Sequence, residues 1–260
     1  ISFFVKFVNV CTFFLYFWLL FFSLGFCGII YSILFFMAIE LQSVTKSYKM
    51  GSETIDALSR FSLSIADGEF VAVVGPSGSG KSTLANIIGG LDTPTSGKVL
   101  VDGEDLSRAR DKTLSVYRNK RIGFVFQSFN LQGHYTALEN VMLPLLFARV
   151  SRRKRKQQAL AALEAVGLSD RLKHKPPELS GGQRQRVSIA RALANEPSII
   201  IADEPTGNLD SKKSAEIIAL LRELNRKKKI TLIIITHDVG IARQADRIIA
   251  IQDGKIKRGR

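Results

Sequence analysis

The sequence predicts an α/β protein whose centre is a sheet of buried, mainly parallel strands. Three observations carry this. Phe70–Val74 is a short apolar run that passes at once into a glycine-rich loop and a segment of helical character. Ser198–Glu204 (SIIIADE) and Thr231–Thr236 (TLIIIT) are two more such runs, each ending in polar side chains. Runs apolar at successive positions suit strands covered on both faces, as in helix-flanked parallel sheets. A chain of 260 residues can bury a sizeable core, as one large domain or two lobes.

Residues 1–36 stand apart. They hold eleven of the seventeen Phe, the only Trp (Trp18) and both Cys (Cys11 and Cys27), with Lys6 as their one charge. An uncharged run over residues 7–39 exceeds the about twenty residues that span a bilayer, so a membrane anchor is one reading. The other is an artefactual extension before a true start at Met37. The chain opens on Ile1, and 31 of the 36 residues are of types with T-rich codons; Ala and Gly residues that help membrane helices pack are few. A cleaved export signal fits poorly, because no A-x-A site comes after it. Without further cysteines there is no disulfide framework, which suits a reducing compartment.

Glu69–Gly90 supplies the strongest chemistry. After strand Phe70–Val74, Gly75–Ser82 spells G-x-x-x-x-G-K-S, and Thr83–Gly89 continues as helix. This is the order a phosphate-binding loop requires. Glycines let backbone N–H groups turn inward, and the helix N-terminus adds partial positive charge. Lys81 is placed to reach outer phosphates and Ser82 to offer its hydroxyl to Mg²⁺.

Two helices are predicted in the middle of the chain. Ala137–Arg149 has Thr136 before it as N-cap, and Arg152–Val166 has Ser151 before it and ends at Gly167 as C-cap. Leu179–Gln183 (LSGGQ) then places two glycines ahead of an amphipathic helix, with Val187, Ile189, Ala190, Leu193 and Ala194 for packing. It is a second phosphate-type helix N-terminus. One nucleotide cannot easily use both, but a second copy of the chain can supply it across a symmetric interface.

Ser198–Glu204 delivers Asp203 and Glu204 at a strand end, where an open parallel sheet presents its ligands. Asp203 is expected to hold Mg²⁺, and Glu204 to act as general base on the attacking water, a role worth about 10²–10⁴-fold. Ile217, Ile218, Leu221 and Leu224 form an apolar helix stripe for the core. Strand Thr231–Thr236 ends at His237. His134 and His174 read as surface or packing residues.

Together these segments resemble an ATP-binding cassette (ABC) ATPase. The phosphate loop GPSGSGKST, the Q-loop Gln127 in FVFQSFN, the signature LSGGQ, the strand end IIIADE, the D-loop GNLD at Gly207–Asp210 and His237 in ITHD all fall in the family's order. The resemblance runs from Met37 to about Gly254. It implies that Gly75, Pro76, Ser77, Gly78, Ser79, Gly80, Lys81, Ser82 and Thr83 cradle the phosphates of ATP. Tyr48 in TKSYKMG would stack on adenine. Ser82, Gln127 and Asp203 would bind Mg²⁺, and Gln127 would sense a transmembrane partner. Ser180, Gly181, Gly182 and Gln183 would meet the nucleotide of the other protomer, and Asp210 would bridge the two sites. His237 would position the water with Glu204.

The implied fold is a RecA-like P-loop NTPase core over residues 37–260. It carries an antiparallel β subdomain from segments such as Ala38–Val44, Phe61–Ile65 and Lys98–Val101, and an α-helical subdomain over about 128–178. ALENVMLPLLFA, KPPELSGGQRQRVSIARALANEP and ADEPTGNLD are similar to the lipoprotein-releasing, macrolide-export, bacitracin-efflux and cell-division branch. The expected function is ATP hydrolysis by a homodimer that energises separate permease subunits, for lipoprotein, peptide or drug extrusion, from the cytoplasmic face of the membrane. A cassette that regulates a cell-division or signalling partner without moving cargo is the alternative. Chromosome-maintenance relatives insert long coiled coils and translation-linked ones carry two cassettes; this chain has neither.

The net charge of +14 is concentrated in RRKRK (Arg152–Lys156), RKKK (Arg226–Lys229) and the tail KIKRGR. Solvated helix faces account for such runs, and anionic lipid headgroups are the sharper reading. No recognition module or stacking motif supports nucleic acid as a partner.

Overall fold

The structure, a computed structural model, describes residues 37–257. The expectations for residues 1–36 lie outside them.

The chain begins with β1 (Met37–Met50) and β2 (Glu53–Ala66), an antiparallel hairpin. β3 (Phe70–Val74) runs into α1 (Lys81–Ile88). β4 (Ser96–Val101) returns to pair with β1, and the two-residue β5 (Glu104–Asp105) pairs with β4. α2 (Asp111–Arg121) leads to β6 (Ile122–Phe126). α3 (Ala137–Phe147) and α4 (Arg152–Ala165) come next, then a 3₁₀ turn at Pro176–Glu178 and α5 (Gly181–Leu193). β7 (Ile199–Asp203), α6 (Ser211–Lys228), β8 (Thr231–Ile235), the short α7 (Val239–Ala242), β9 (Arg247–Gln252) and β10 (Lys255–Ile256) complete it.

Two sheets result. The antiparallel sheet is ordered β2-β1-β4-β5, and the six-stranded sheet β10-β9-β3-β8-β7-β6 is parallel except for β10. The strict period of two along the parallel strands builds two cores from one sheet. Phe70, Ile200, Ala202, Leu232 and Ile234 face a cluster completed by α3, α4, α5 and α6, through Val141, Leu163, Val187 and Ile218. Val71, Val73, Ile199, Ile201, Ile233 and Ile235 face the other, completed by α1, α2 and the antiparallel sheet, through Leu84, Leu114 and Ile39. This is why those strands read as apolar at successive positions. Ile217, Ile218, Leu221 and Leu224 are buried, as their spacing predicts.

Local chemistry fixes the helix ends and corrects several expectations. Thr136 caps α3 in a full capping box with Glu139, but the helix stops at Phe147, two residues short of Arg149. Ser151 precedes α4 yet its side chain makes no capping bond; the C-cap is Val166, with Gly167 directly after it. The phosphate-loop helix starts at Lys81, two residues earlier than the helical pattern suggests. β1 extends to Met50, past Val44, because irregularities between Leu41 and Ser47 let the ladder continue. Among the described residues, no helix is long and apolar enough to cross a membrane.

Candidate functional site

The order β3-β8-β7-β6 places four parallel strands side by side. Val73 is in register with Ile235, Ile235 with Asp203, and Asp203 with Phe126. Residues just past these strands therefore collect along one carboxyl edge, the ligand edge of open α/β sheets. The loop from Gly75 leaves β3 there, Thr236 and His237 leave β8, Glu204 leaves β7, and Gln127 leaves β6.

The loop is held by its own main chain. Lys81 Nζ donates to the carbonyls of Gly75 at 2.9 Å and Pro76 at 2.7 Å. Gly80, the residue before α1, has φ +104°, and a Cβ there would lie 2.3 Å from the Ala57 carbonyl. Only glycine meets both conditions. No side chain caps α1 and no acid stands in its first turn, so its leading N–H groups keep their partial positive charge. Ser79 is buried and, among the described residues, its hydroxyl has no partner. An orphaned hydroxyl, an uncapped helix start and a lysine in one cradle fit a phosphate group.

Asp203 ends β7 beside this loop. Burial pushes its carboxyl above the ordinary range and the neighbouring Glu204 carboxylate adds to that; Lys81 and a hydrogen bond with Ser82 pull the other way. A hydroxyl and a carboxylate close to one another are hard oxygen donors of the kind Mg²⁺ takes together with water and phosphate oxygens. Among the described residues there is no cluster of three or more His, Cys, Asp or Glu to hold a softer ion.

Glu204 leaves the strand in the left-handed region, at φ +45°, and its N–H donates to Ile235 O at 3.0 Å. A non-glycine residue there is strained and is held by its surroundings. The turn aims the carboxylate at the end of β8. Glu204 Oε1 accepts the His237 N–H at 3.1 Å and lies 2.8 Å from His237 Nδ1. The carboxylate is 20 % exposed and the imidazole 78 %. The hydrogen bond to Glu204, and then its charge, raise the imidazole pKa above the usual histidine value. A carboxylate and an imidazole beside a phosphate cradle can orient and deprotonate water.

Gln127 is exposed just past β6. Its carbonyl accepts from Asn208 Nδ2 at 2.9 Å, and a Cβ on Gly207 would lie 2.5 Å from Gln127 Nε2, so Gly207 is what lets the two loops touch. Ser180 caps α5 in a capping box with Gln183. Gly181 packs by Leu209 and Gly182 by Lys213. Asp210 caps α6, accepting the Lys213 N–H at 2.9 Å and pairing with Lys213 Nζ at 2.7 Å, which holds its carboxyl below the ordinary range. Ser180–Gln183 and Asp210 thus form a second constellation. Among the described residues no side-chain hydrogen bond joins it to Gly75–Thr83.

Tyr48 stands near the phosphate loop: burial and Asp92 raise its phenol pKa above the ordinary value, while Thr83 at the loop's end pulls it down. Its hydroxyl donates to Asp92 Oδ2 at 2.8 Å, and Lys46 Nζ lies 5.1 Å above its ring and 2.6 Å from Asp92 Oδ1. Sequence reasoning misses Asp92 and Lys46: one sits 44 residues after the tyrosine and the other two residues before it, in no motif. It also misses Gln185, buried on α5, whose Nε2 donates to Pro205 O at 2.6 Å and ties α5 to the turn after Glu204.

Comparison with known proteins points the same way. Residues 58–207 match the family described as ABC transporter. Over 218 residues the chain is 53% identical to the uncharacterized ABC transporter ATP-binding protein YvrO of Bacillus subtilis, covering 84% of this chain and 95% of that one. It is 49% identical to the lipoprotein-releasing system ATP-binding protein LolD of Pseudomonas syringae pv. tomato, over 84% of this chain and 96% of LolD. Among solved structures, a dimeric post-hydrolysis state of the ATP-binding cassette MJ0796 bound to ADP and Pi superposes with a TM-score of 0.78 at 50% identity, over 85% of this chain and 97% of that one.

Proposed function

The chain belongs to the ABC transporter family as an ATP-binding, ATP-hydrolysing subunit, and from that premise we propose that it works as a homodimer energising a separate membrane permease for export, on the cytoplasmic face of the membrane. The observation that carries this reading is the Glu204–His237 pair, set on the strand ends next to the phosphate loop.

In the proposed site, Gly75–Thr83 wrap the phosphates, with Lys81 exchanging its two main-chain acceptors for phosphate oxygens. Tyr48 stacks on the base. Ser82, Asp203 and Gln127 would hold Mg²⁺, which when bound would neutralise charge on the phosphoryl oxygens. Glu204 accepts the proton of the attacking water, and His237, held by Glu204, fixes that water's direction. Ser180–Gln183 and Asp210 complete the site of the other protomer, which supports the reading that one chain alone does not hydrolyse efficiently. LolD is named for a lipoprotein-releasing system, and that likeness supports extrusion of a lipoprotein, peptide or drug as the task here. Gln127, beside the groove of Phe126, Asn130 and Phe147, is the proposed contact with the permease.

The test is purification of the complex from its native membrane, with intact mass analysis and ATP turnover as readouts. A co-purifying permease and a turnover lost in Glu204→Gln are expected. Full turnover in that variant removes Glu204 from its role, and a cassette that purifies without any membrane partner overturns the transport reading.

A further inference from the structure

A second groove lies on the other flank of α3, away from the one beside Gln127. Pro144 and Phe147 line the first, Leu143 and Leu146 the second. The second has a volume of about 720 Å³, with an apolar floor that includes Leu138, Met142 and Leu146. Arg152, Arg155, Lys156 and Lys173 stand around it. Among the described residues none of these four cations pairs with a carboxylate. Glu139, the carboxylate on the rim, is already engaged by the N–H and hydroxyl of Thr136, both at 2.8 Å.

The cations are not there for the helix. Arg152–Lys156 open α4 with no acid in its first turn, at the end where the macrodipole disfavours positive charge. Each is unfavourable to the helix at that end, so their use lies outside it.

We propose that this groove seats an anionic phospholipid of the adjoining leaflet, with its phosphate among Arg155, Lys156 and Lys173 and its glycerol and first methylenes on Leu138, Met142 and Leu146. The proposal rests on the reading that this subunit sits against a membrane. Charge complementarity selects the occupant. The cytoplasmic loops of a membrane partner carry an excess of Lys and Arg, which this rim repels. Anionic leaflets attract basic segments. The groove's volume is that of a small-ligand site and not of a helix-length trough. The two grooves share the end of α3, where Leu146, 52 % exposed, lines one and Phe147, 76 % exposed, lines the other.

The experiment is flotation of residues 37–260, a unit that contains both cores, with vesicles of phosphatidylcholine alone or mixed with phosphatidylglycerol. It needs no nucleotide, so its failure is separate from failure of the ATPase reading. Binding only to the mixed vesicles is expected. Arg155→Glu with Lys156→Glu should lower it by at least about tenfold. The same charge change in the other basic run, Arg226→Glu with Lys228→Glu, should leave it within about twofold, since that run ends α6 and lines no part of the groove. Leu146→Asp, at an exposed position, should weaken it without unfolding the protein. Equal losses in the two double variants mean diffuse charge and overturn the proposal. So does release of the protein by inorganic phosphate, which would make the groove a free-phosphate site. Preferential binding of a nucleic-acid duplex at the same salt would also overturn it.

Discussion

One oxygen of Glu204 serves His237 twice: Oε1 accepts its main-chain N–H at 3.1 Å and meets its Nδ1 at 2.8 Å. The backbone contact fixes where the histidine starts and the side-chain contact fixes where it points. The base and its neighbour are thus one unit. Glu204→Gln is expected to retain ATP binding, to lose turnover by about 10²–10⁴-fold, and to accumulate as an ATP-bound dimer. Steady-state hydrolysis and size-exclusion chromatography with ATP check both halves; a monomer with normal turnover refutes them.

The same pair gives a pH dependence with a definite sign. Glu204 raises the His237 pKa, so the pair is fully formed below the usual histidine range and is lost as pH rises through the raised value. An NMR titration of the imidazole should place its midpoint above that of an unperturbed histidine, and Glu204→Gln should move it down. Because the ring is mostly exposed, overall stability should change little across this window. A midpoint unmoved by the substitution would mean the contact is absent in solution.

Among the described residues no side-chain hydrogen bond links Ser180 and its neighbours to the chain's own phosphate loop, and the proposed function gives them to the nucleotide of the partner protomer. Ser180→Arg is expected to leave nucleotide binding to the monomer unchanged and to abolish ATP-dependent dimerisation. Unchanged dimerisation by light scattering would remove the cross-protomer assignment.

Asp92 holds Tyr48 by its hydroxyl and Lys46 by its ammonium. Asp92→Ala should raise the KM for ATP by about 2–10-fold, the worth of one hydrogen bond, with kcat nearly unchanged. Tyr48→Phe, which keeps the ring and loses the tether, should do the same. A change confined to kcat would show that the cluster acts elsewhere.

Asn140 is fully buried: its Oδ1 accepts from Gln132 N–H, and the two hydrogens of its Nδ2 are shared among the carbonyls of Gln132, Tyr135 and Thr136. It staples the segment between Gln127 and α3. Asn140→Ala strands several buried polar groups and should cost about 1–3 kcal/mol, measured by denaturant unfolding.

Much of the site is legible in the sequence because its chemistry is local. A glycine-rich loop, an acidic strand end and a serine before two glycines each declare themselves within a few residues. The parallel strands are legible for the opposite reason, since burial on both faces leaves no polar position inside them. β6 escapes sequence reasoning, although IGFVF is as apolar as its neighbours, because the motif there is the glutamine after it. α2 hides in a polar sequence: of its eleven residues only Leu114 and Tyr117 are buried. Tyr117 is anchored by its hydroxyl to Ile88 O at 2.6 Å, a contact 29 residues away. The Lys46–Asp92–Tyr48 cluster and Gln185 are invisible for the same cause, as no spacing rule links partners brought together only by the sheet.

The left-handed backbone at Glu204 also limits what can stand there before any reaction is considered. With φ at +45°, β-branched residues are excluded by their own side chains, while Asn, Asp and Gly sit easily. In a saturation library scored for soluble expression alone, position 204 should therefore reject Val, Ile and Thr. Drift at this position is confined by the shape of the chain first and by hydrolysis second, so inactive descendants of this protein would keep a short polar residue or glycine there long after the activity had gone.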